Sequence, residues 1–473
     1  MHRSHLFHFG SCAFLIISTF ALYSGVRQHD FVWDTIQFLL ENPWVHDPGP
    51  AELLAMFTEV HRANWQPLIW ISHAIDFRLF GNDAGLHHLS NVAYHAIDCC
   101  LVYWLVLKIM DHAGQKPSAM IALMSAFIFL AHPQHVQSVA WLVERKDTLS
   151  VLFSLLMLIF WLRQSTSAGR FAPLVFFILA LMSKPMAVTL PVILVLLDIY
   201  PLNRYRSIRD IPRLVIEKWP YFALSFCVGI LTLTTQQIAM VKLDDLPVWV
   251  RFLNAINNSL FYVQGYLWPA NLSPFYPYAW NINAITTPVF WLPGLVFLLA
   301  SSTATIYLWR QQIRWPGVSL LFYLVTLAPV SGVIHVGPAK ALDYYVYLAT
   351  LPIGVLVSVT VFNLIERLPR YRSIFAALAI FYCGTLVLLA KQNITIWQNE
   401  FTLWSRAYQL HPESAYINRN LAAAFVSMGE FETALRHAEL SVQYGSRDKQ
   451  YLEKLRAFVE SSSIPQAVPQ SVP

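Results

Sequence analysis

Apolar runs of about 17–20 residues, each long enough to cross a bilayer as a helix, alternate along this chain with short polar turns. The spans drawn from them run over 8–26, 87–110, 119–132, 147–163, 171–183, 185–200, 219–237, 288–309, 316–335, 343–362 and 373–391, about eleven in all. The stretch 252–269 (FLNAINNSLFYVQGYLWP) is apolar but interrupted by Asn254, Asn257 and Asn258, and it reads as lying in the interface. The pattern predicts an all-α fold, a polytopic membrane helix bundle over 1–391, whose long first loop, 27–86, carries interfacial helices.

At about Gln392 the chain turns polar while staying helical, and a 34-residue period appears: Trp404 aligns with Ala438, Ala407 with Ser441, and Pro412 with Ser446. Leu421, Ala422, Phe425, Gly429 and Ala434 sit at the offsets where tetratricopeptide repeats place their packing residues. Residues 392–460 therefore read as a short tetratricopeptide-repeat-like tail, one full repeat preceded by half of another. So few units need a surface to dock on, either the membrane domain or a partner. Residues 461–473 are rich in Ser and Pro and read as disordered.

Composition agrees: 56% of residues are hydrophobic and 12% charged, where a soluble domain carries about 25% charged residues. The formal charge of +5 then says nothing for nucleic acid, and the placement of Lys and Arg matters more. Arg204, Arg206, Arg209, Arg213 and Lys218, with Arg310, Arg314, Arg367, Arg370 and Arg372, fall in alternate turns. These become cytoplasmic, with the N-terminus inside and the tail on the opposite face, in the bacterial inner membrane or the endoplasmic reticulum. The first span shows no small-residue cleavage site and reads as an uncleaved helix. All five cysteines fall inside predicted spans, which predicts neither a disulfide framework nor a Cys-based metal site.

The polar residues then converge on the outer side. Asp34 stands in FVWDT, directly after the first span. The segment AHPQHVQSVAWLVERKD brings His132, His135, Glu144, Arg145, Lys146 and Asp147. Ser183 with Lys184, and His335 with Lys340 and Asp343, occupy two further outer turns. His88, Asn91, His95 and Asp98 follow i, i+3, i+7, i+10, which is one helical face. Charged groups at a membrane boundary need water, a partner or a task. Plainer readings stand beside each: Asp34 as the N-cap of the next helix with Gln37 as its reciprocal partner, Arg145 and Lys146 as interfacial anchors, the 88–98 stripe as helix–helix glue, and the aromatics Tyr276–Trp280 as an interface belt. The His spacing does not suit zinc, and no metal is expected.

AHPQHVQSVAWLVERKD, MSKPMAVTLPVILVLLDIYPL, LWPANLSPFYPY, NWQPLIWISHAIDFRLFG and HHLSNVAYHAID, together with the repeat tail, resemble the transmembrane and tetratricopeptide-repeat-containing proteins and their bacterial relatives. The resemblance covers about residues 30–445. It implies a GT-C-like glycosyltransferase fold; the animal members are O-mannosyltransferases using dolichyl-phosphate mannose and keep an Asp in the first outer loop as general base, a position Asp34 matches. The chain departs from the family at Thr35, Gln66, Gln137 and Tyr344, where charged residues are usual.

On that resemblance the expected activity is inverting, metal-independent transfer of mannose or a similar hexose from a polyprenyl-phosphate donor to a protein hydroxyl. The lipid-linked sugar is a co-substrate and no cofactor is needed. Asp34 would take the acceptor's proton, and Lys184, Arg145 and Lys146 would stabilise the leaving phosphate. His132, His135, Glu144, Asp343, His88, Asn91 and His95 would position sugar or acceptor. Residues 392–460 would meet the acceptor protein. Two other readings stay open: a membrane-anchored repeat scaffold without catalysis, which the four departures favour, and a solute transporter, against which stands the absence of internal symmetry.

Overall fold

The computed structural model describes residues 2–116, 118–163, 167–238, 246–278, 282–334 and 337–463. Its helices of ten residues or more are α1 (His2–Leu22), α2 (Pro67–Phe80), α3 (Ala84–His112), α4 (Ala119–Ala131), α5 (Arg145–Leu162) and α6 (Ser167–Ser183). They continue as α7 (Leu190–Ile199), α8 (Trp219–Thr235), α9 (Val248–Leu267), α10 (Pro288–Arg310), α11 (Trp315–Leu327), α12 (Leu351–Arg367) and α13 (Arg372–Ile396). The last four are α14 (Glu400–Leu410), α15 (Ala415–Ser427), α16 (Phe431–Gln443) and α17 (Lys449–Ser463). Among the described residues the only sheet is β1 (Tyr276–Pro277) antiparallel to β2 (Ala339–Ala341), with Tyr276 opposite Ala341.

Every predicted span coincides with a helix, but their lengths differ. Among the described residues four helices are long and apolar enough to cross a bilayer, in α1, α3, α10 and α13, or up to six if two bent pairs each count as one span. The bends measure 55° between Ala119–Ala131 and Pro133–Ala140, and 71° between Ile208–Ile216 and Trp219–Thr235. Proline sets the first break, because it disfavours helical backbone at the residue before it: His132 is extended at φ −72°, ψ 125°. Phe171–Ser183, Pro185–Ile199 and Trp315–Val330 are shorter apolar helices.

The surface is that of a multi-pass membrane protein. Leu6, Phe9 and Ile17 on α1, Phe226 on α8, Leu299 on α10 and Ile380, Phe381 and Leu388 on α13 face outward, where a soluble helix would place polar residues. Hydroxyls in the helices satisfy themselves locally: Thr19, Ser125, Thr232 and Ser358 each donate to the carbonyl four residues before, as an environment without water requires. The stretch read as interfacial forms α9, whose buried face carries Asn254 and Asn258 while Trp249 and Phe252 point out. It runs so close to α10 that a Cβ added at Gly294 would stand 2.2 Å from the Ile256 carbonyl oxygen. Only glycine permits that approach.

Helices α14 to α17 each pack on the next; Ala422, Ala434, Ala438 and Leu455 form a small core between α15, α16 and α17, while Leu403, Trp404 and Ala407 of α14 join the main core. Gly429, at φ +80°, ends α15 with its N–H on the Val426 carbonyl, while the Glu430 N–H bonds Phe425. That pairing is the Schellman arrangement, in which glycine takes the left-handed position without a Cβ penalty. Helix α17 runs to Ser463 and so takes in the first three residues of the predicted disordered tail. Residues 464–473 lie outside the described residues, as do His335, Asp244 and Asp245.

Candidate active site

A cavity of about 520 Å³ opens between the first loop, the start of α5, the α6–α7 turn, α8 and the residues flanking β2. Asp34, Lys146, Lys184 and Lys340 line it, with Arg62, Gln66, Tyr344 and Tyr345. Three of the predicted site residues therefore meet in one place, from segments up to about 150 positions apart. Tertiary packing brings Lys340 to them, a residue that the sequence placed on the same side without a role.

Asp34 follows Trp33, whose backbone stands at φ 57°, a left-handed conformation that costs a non-glycine residue about 1–2 kcal/mol. The Asp34 carbonyl accepts from the Phe38 N–H at 2.9 Å, starting the π-helical turn Ile36–Leu40. The side chain does not cap that turn: Thr35 occupies the cap position without a side-chain bond, and Asp34 Oδ1 has no partner among the described residues. The helix-cap reading of Asp34 is thus corrected. Burial pushes the Asp34 carboxyl up to about 7; Lys146 opposes the rise, and Glu144 and Glu400 add to it. A carboxylate poised there is matched to proton transfer near neutral pH.

Beside it runs an ion chain. Lys146 Nζ lies 2.8 Å from Glu144 Oε1, Lys184 Nζ lies 3.2 Å from Glu144 Oε2, and Lys184 also pairs with Asp147. The Ser138 hydroxyl donates to the free Asp147 oxygen at 3.1 Å. Burial alone would raise the Glu144 carboxyl, but Lys146 and Lys184 hold it below its usual value. Lys184 sits over the Tyr344 ring at 4.4 Å and Lys146 at 5.8 Å. Lys340 lies over Phe261 at 5.0 Å, and burial pushes its ammonium down. The cavity thus offers three ammonium groups and one carboxyl without a bonded partner on Oδ1.

The other predicted site residues do not line the cavity. Arg145 is fully buried: Nε donates to Asn91 Oδ1 at 2.6 Å, Nη1 to the Ser72 carbonyl at 3.2 Å, and Nη2 to Asp76 and to the His87 carbonyl. Four of its five N–H donors are used and it does not line the cavity, so it is not placed to hold a phosphate there. His132 uses both ring nitrogens, on the Tyr266 carbonyl and the Gln134 N–H, and stacks on Tyr266 at 3.8 Å. His135 lies 2.8 Å from the Phe129 carbonyl and 3.1 Å from Thr350 Oγ1. His88 meets the Asp30 carbonyl at 3.2 Å, and His95 meets Tyr347, whose hydroxyl donates to Asp98 at 2.9 Å. The polar stripe on α3 is helix–helix glue. Asp343 is buried against the Tyr276 hydroxyl at 3.3 Å. Tyr276 and Tyr278 are buried rather than set in an interface belt; Trp280 lies outside the described residues. Gln137 donates to the Pro274 carbonyl and accepts from the Tyr344 N–H, and does not itself line the cavity.

One group among the described residues, His73, Asp76 and His87, has ligand atoms within 4.8 Å of one another. Arg145 already neutralises Asp76 there, and a second cation beside the guanidinium would be repelled.

No family model matches the chain. Curated relatives do. The protein O-mannosyl-transferase F38B6.6 of Caenorhabditis elegans is 22% identical over 83% of this chain and 56% of its own length. This chain is similar to protein O-mannosyl-transferases. TMTC3 of Mus musculus is 21% identical over 86% of this chain and 48% of its own length, and Tmtc3 of Drosophila melanogaster 22% over 96% and 59%. The chain spans about half the length of these relatives.

Proposed function

We propose that this chain is a multi-pass membrane glycosyltransferase that moves mannose or a similar hexose from a polyprenyl- or dolichyl-phosphate donor to a protein hydroxyl on the non-cytoplasmic face. The observation that carries the reading is the company of Asp34: a buried carboxyl with an unbonded oxygen, in one cavity with Lys146, Lys184 and Lys340. The names of the relatives, protein O-mannosyl-transferases, agree with it.

In this reading the acceptor hydroxyl attacks the sugar C1 as its O–H proton passes to Asp34. The C1–O bond to phosphate breaks, and the electron pair leaves with the phosphate. Inversion follows from a single displacement, which needs one base and no carboxylate nucleophile. The lysines offset the charge growing on the phosphate, as fixed cations do most strongly in a partly dry site; no metal is required. The bundle has about eleven spans, cytoplasmic at the N-terminus by its Lys and Arg bias. The tetratricopeptide-repeat-like tail lies on the outer face, where it meets the acceptor protein.

Asp34→Asn tests this. Asn keeps the size but cannot take the proton, so transfer from a polyprenyl-phosphate sugar in membranes falls by about 10²- to 10⁴-fold, while donor binding is no weaker. Intact transfer by Asp34→Asn overturns the proposal. Absence of transfer by the wild-type chain with every common donor favours the scaffold reading.

A further inference from the structure

Asp34 owes its place more to its neighbour than to its own one backbone bond, from Phe38. Trp33 is gripped by residues far along the chain. Its N–H donates to Glu400 Oε1, and its indole Nε1 donates to the Tyr416 hydroxyl at 3.2 Å. Its ring stacks on Trp141 at 4.3 Å and 3°, and meets Trp404 edge-on at 5.1 Å. The second Glu400 oxygen accepts from the Trp404 indole at 2.7 Å, so one carboxylate ties the backbone before Asp34 to the first turn of α14. Three residues earlier, the Asp30 N–H bonds the Gln398 carbonyl at 2.9 Å. A non-glycine residue persists in left-handed backbone only where its surroundings over-determine it, and these contacts do so.

We infer that helices α14 and α15 act as an intramolecular clamp on the Asp34 turn, with Trp33 and Glu400 as positioning residues for the base. The inference rests on the function proposed above for the kinetic role of Asp34, though the clamp itself does not. It gives the C-terminal helices a task inside the molecule, besides any contact with an acceptor: docking of the tail fixes the turn that presents Asp34 to the cavity, and anything that pulls α14 away releases Asp34.

The experiment compares Glu400→Gln and Trp33→Phe with the wild type, all as full chains in detergent. Gln offers one acceptor oxygen for two donors, and Phe keeps a ring but loses the indole N–H. The first readout needs no turnover: carbodiimide-promoted modification of Asp34, located by mass spectrometry. It should rise about 10- to 100-fold in Glu400→Gln, the worth of one hydrogen bond to a charged group, and less in Trp33→Phe. The second readout is transfer, where kcat should fall by a similar factor while KM for the polyprenyl-phosphate sugar stays within about twofold. A purely architectural Glu400 would reduce the folded fraction and leave kcat per folded molecule unchanged. Unchanged modification of Asp34 in both folded variants overturns the clamp, and unchanged kcat with faster modification overturns its positioning role. A wild type that transfers no sugar defeats the proposed function instead, and the modification rates still decide the clamp.

Discussion

Lys184→Met separates a phosphate ligand from a structural cation, because Lys184 has the geometry of both. Its side chain is 8% exposed, and its partners Glu144 and Asp147 are 0% and 6% exposed. Removing the ammonium strands two carboxylates, with Lys146 left on Glu144 and the Ser138 hydroxyl left on Asp147. Breaking a buried ion pair costs about 3–5 kcal/mol; the two pairs share one cation, so this is taken as the total, a large part of a typical stability of about 5–15 kcal/mol. A low melting temperature in detergent is therefore expected and by itself proves little. Adding Glu144→Gln and Asp147→Asn removes the two carboxylates but leaves Lys146 without its partner, so stability should return only in part, since neutral replacement of a buried pair is often harmless whereas an unpaired buried charge is not.

Donor affinity then decides. If Lys184 holds the phosphate, the triple variant still lacks one charge-assisted bond, about 1.5–3 kcal/mol, or about 10- to 100-fold in Kd. Neutralising Glu144 also frees Lys146, which works in favour of phosphate, so a surviving loss is a lower bound. Titration of the triple variant with a polyprenyl phosphate gives the answer. Wild-type affinity in a stable triple variant refutes the ligand role of Lys184.

Other expectations follow from the same geometry. Because Asp34 must be ionised to accept a proton and its carboxyl stands at about 7, transfer should rise with pH through about 7 and level off above. Lys146→Met removes the cation that favours the carboxylate and moves this limb to higher pH; a flat profile from pH 5 to 8 counts against Asp34 as base. Arg145→Met leaves Asp76 unpaired in the interior and should destabilise by about 3–5 kcal/mol while the folded fraction binds donor normally; weakened donor binding by that fraction would return Arg145 to the site. Gly294→Ala forces a methyl against the Ile256 carbonyl and should cost about 1–3 kcal/mol, whereas Gly384→Ala, inside α13 with nothing within 4 Å, should be neutral or stabilise by up to about 1 kcal/mol in the same thermal assay.

The sequence by itself determined the helices, because the choice between hydrocarbon and water is read locally from runs of apolar residues. Each predicted span finds its helix, and Pro133 marks the break before the turn that carries Glu144 and leads into α5 with Lys146. The helical repeat also placed His88, Asn91, His95 and Asp98 on one face. Tertiary structure alone decided what the polar residues do. Arg145 and Lys146 are adjacent and look alike in sequence, yet consecutive residues of a helix point about 100° apart; one is spent on Asp76 and Asn91, the other reaches the cavity. His132 and His135 looked like site residues because polar groups near a membrane are costly, but that cost is equally met by backbone carbonyls, and the chain order does not say which. Trp33 carried no mark beyond standing before Asp34. Its partners lie more than 350 positions away at Glu400 and Tyr416, and only the docking of the tail brings them together.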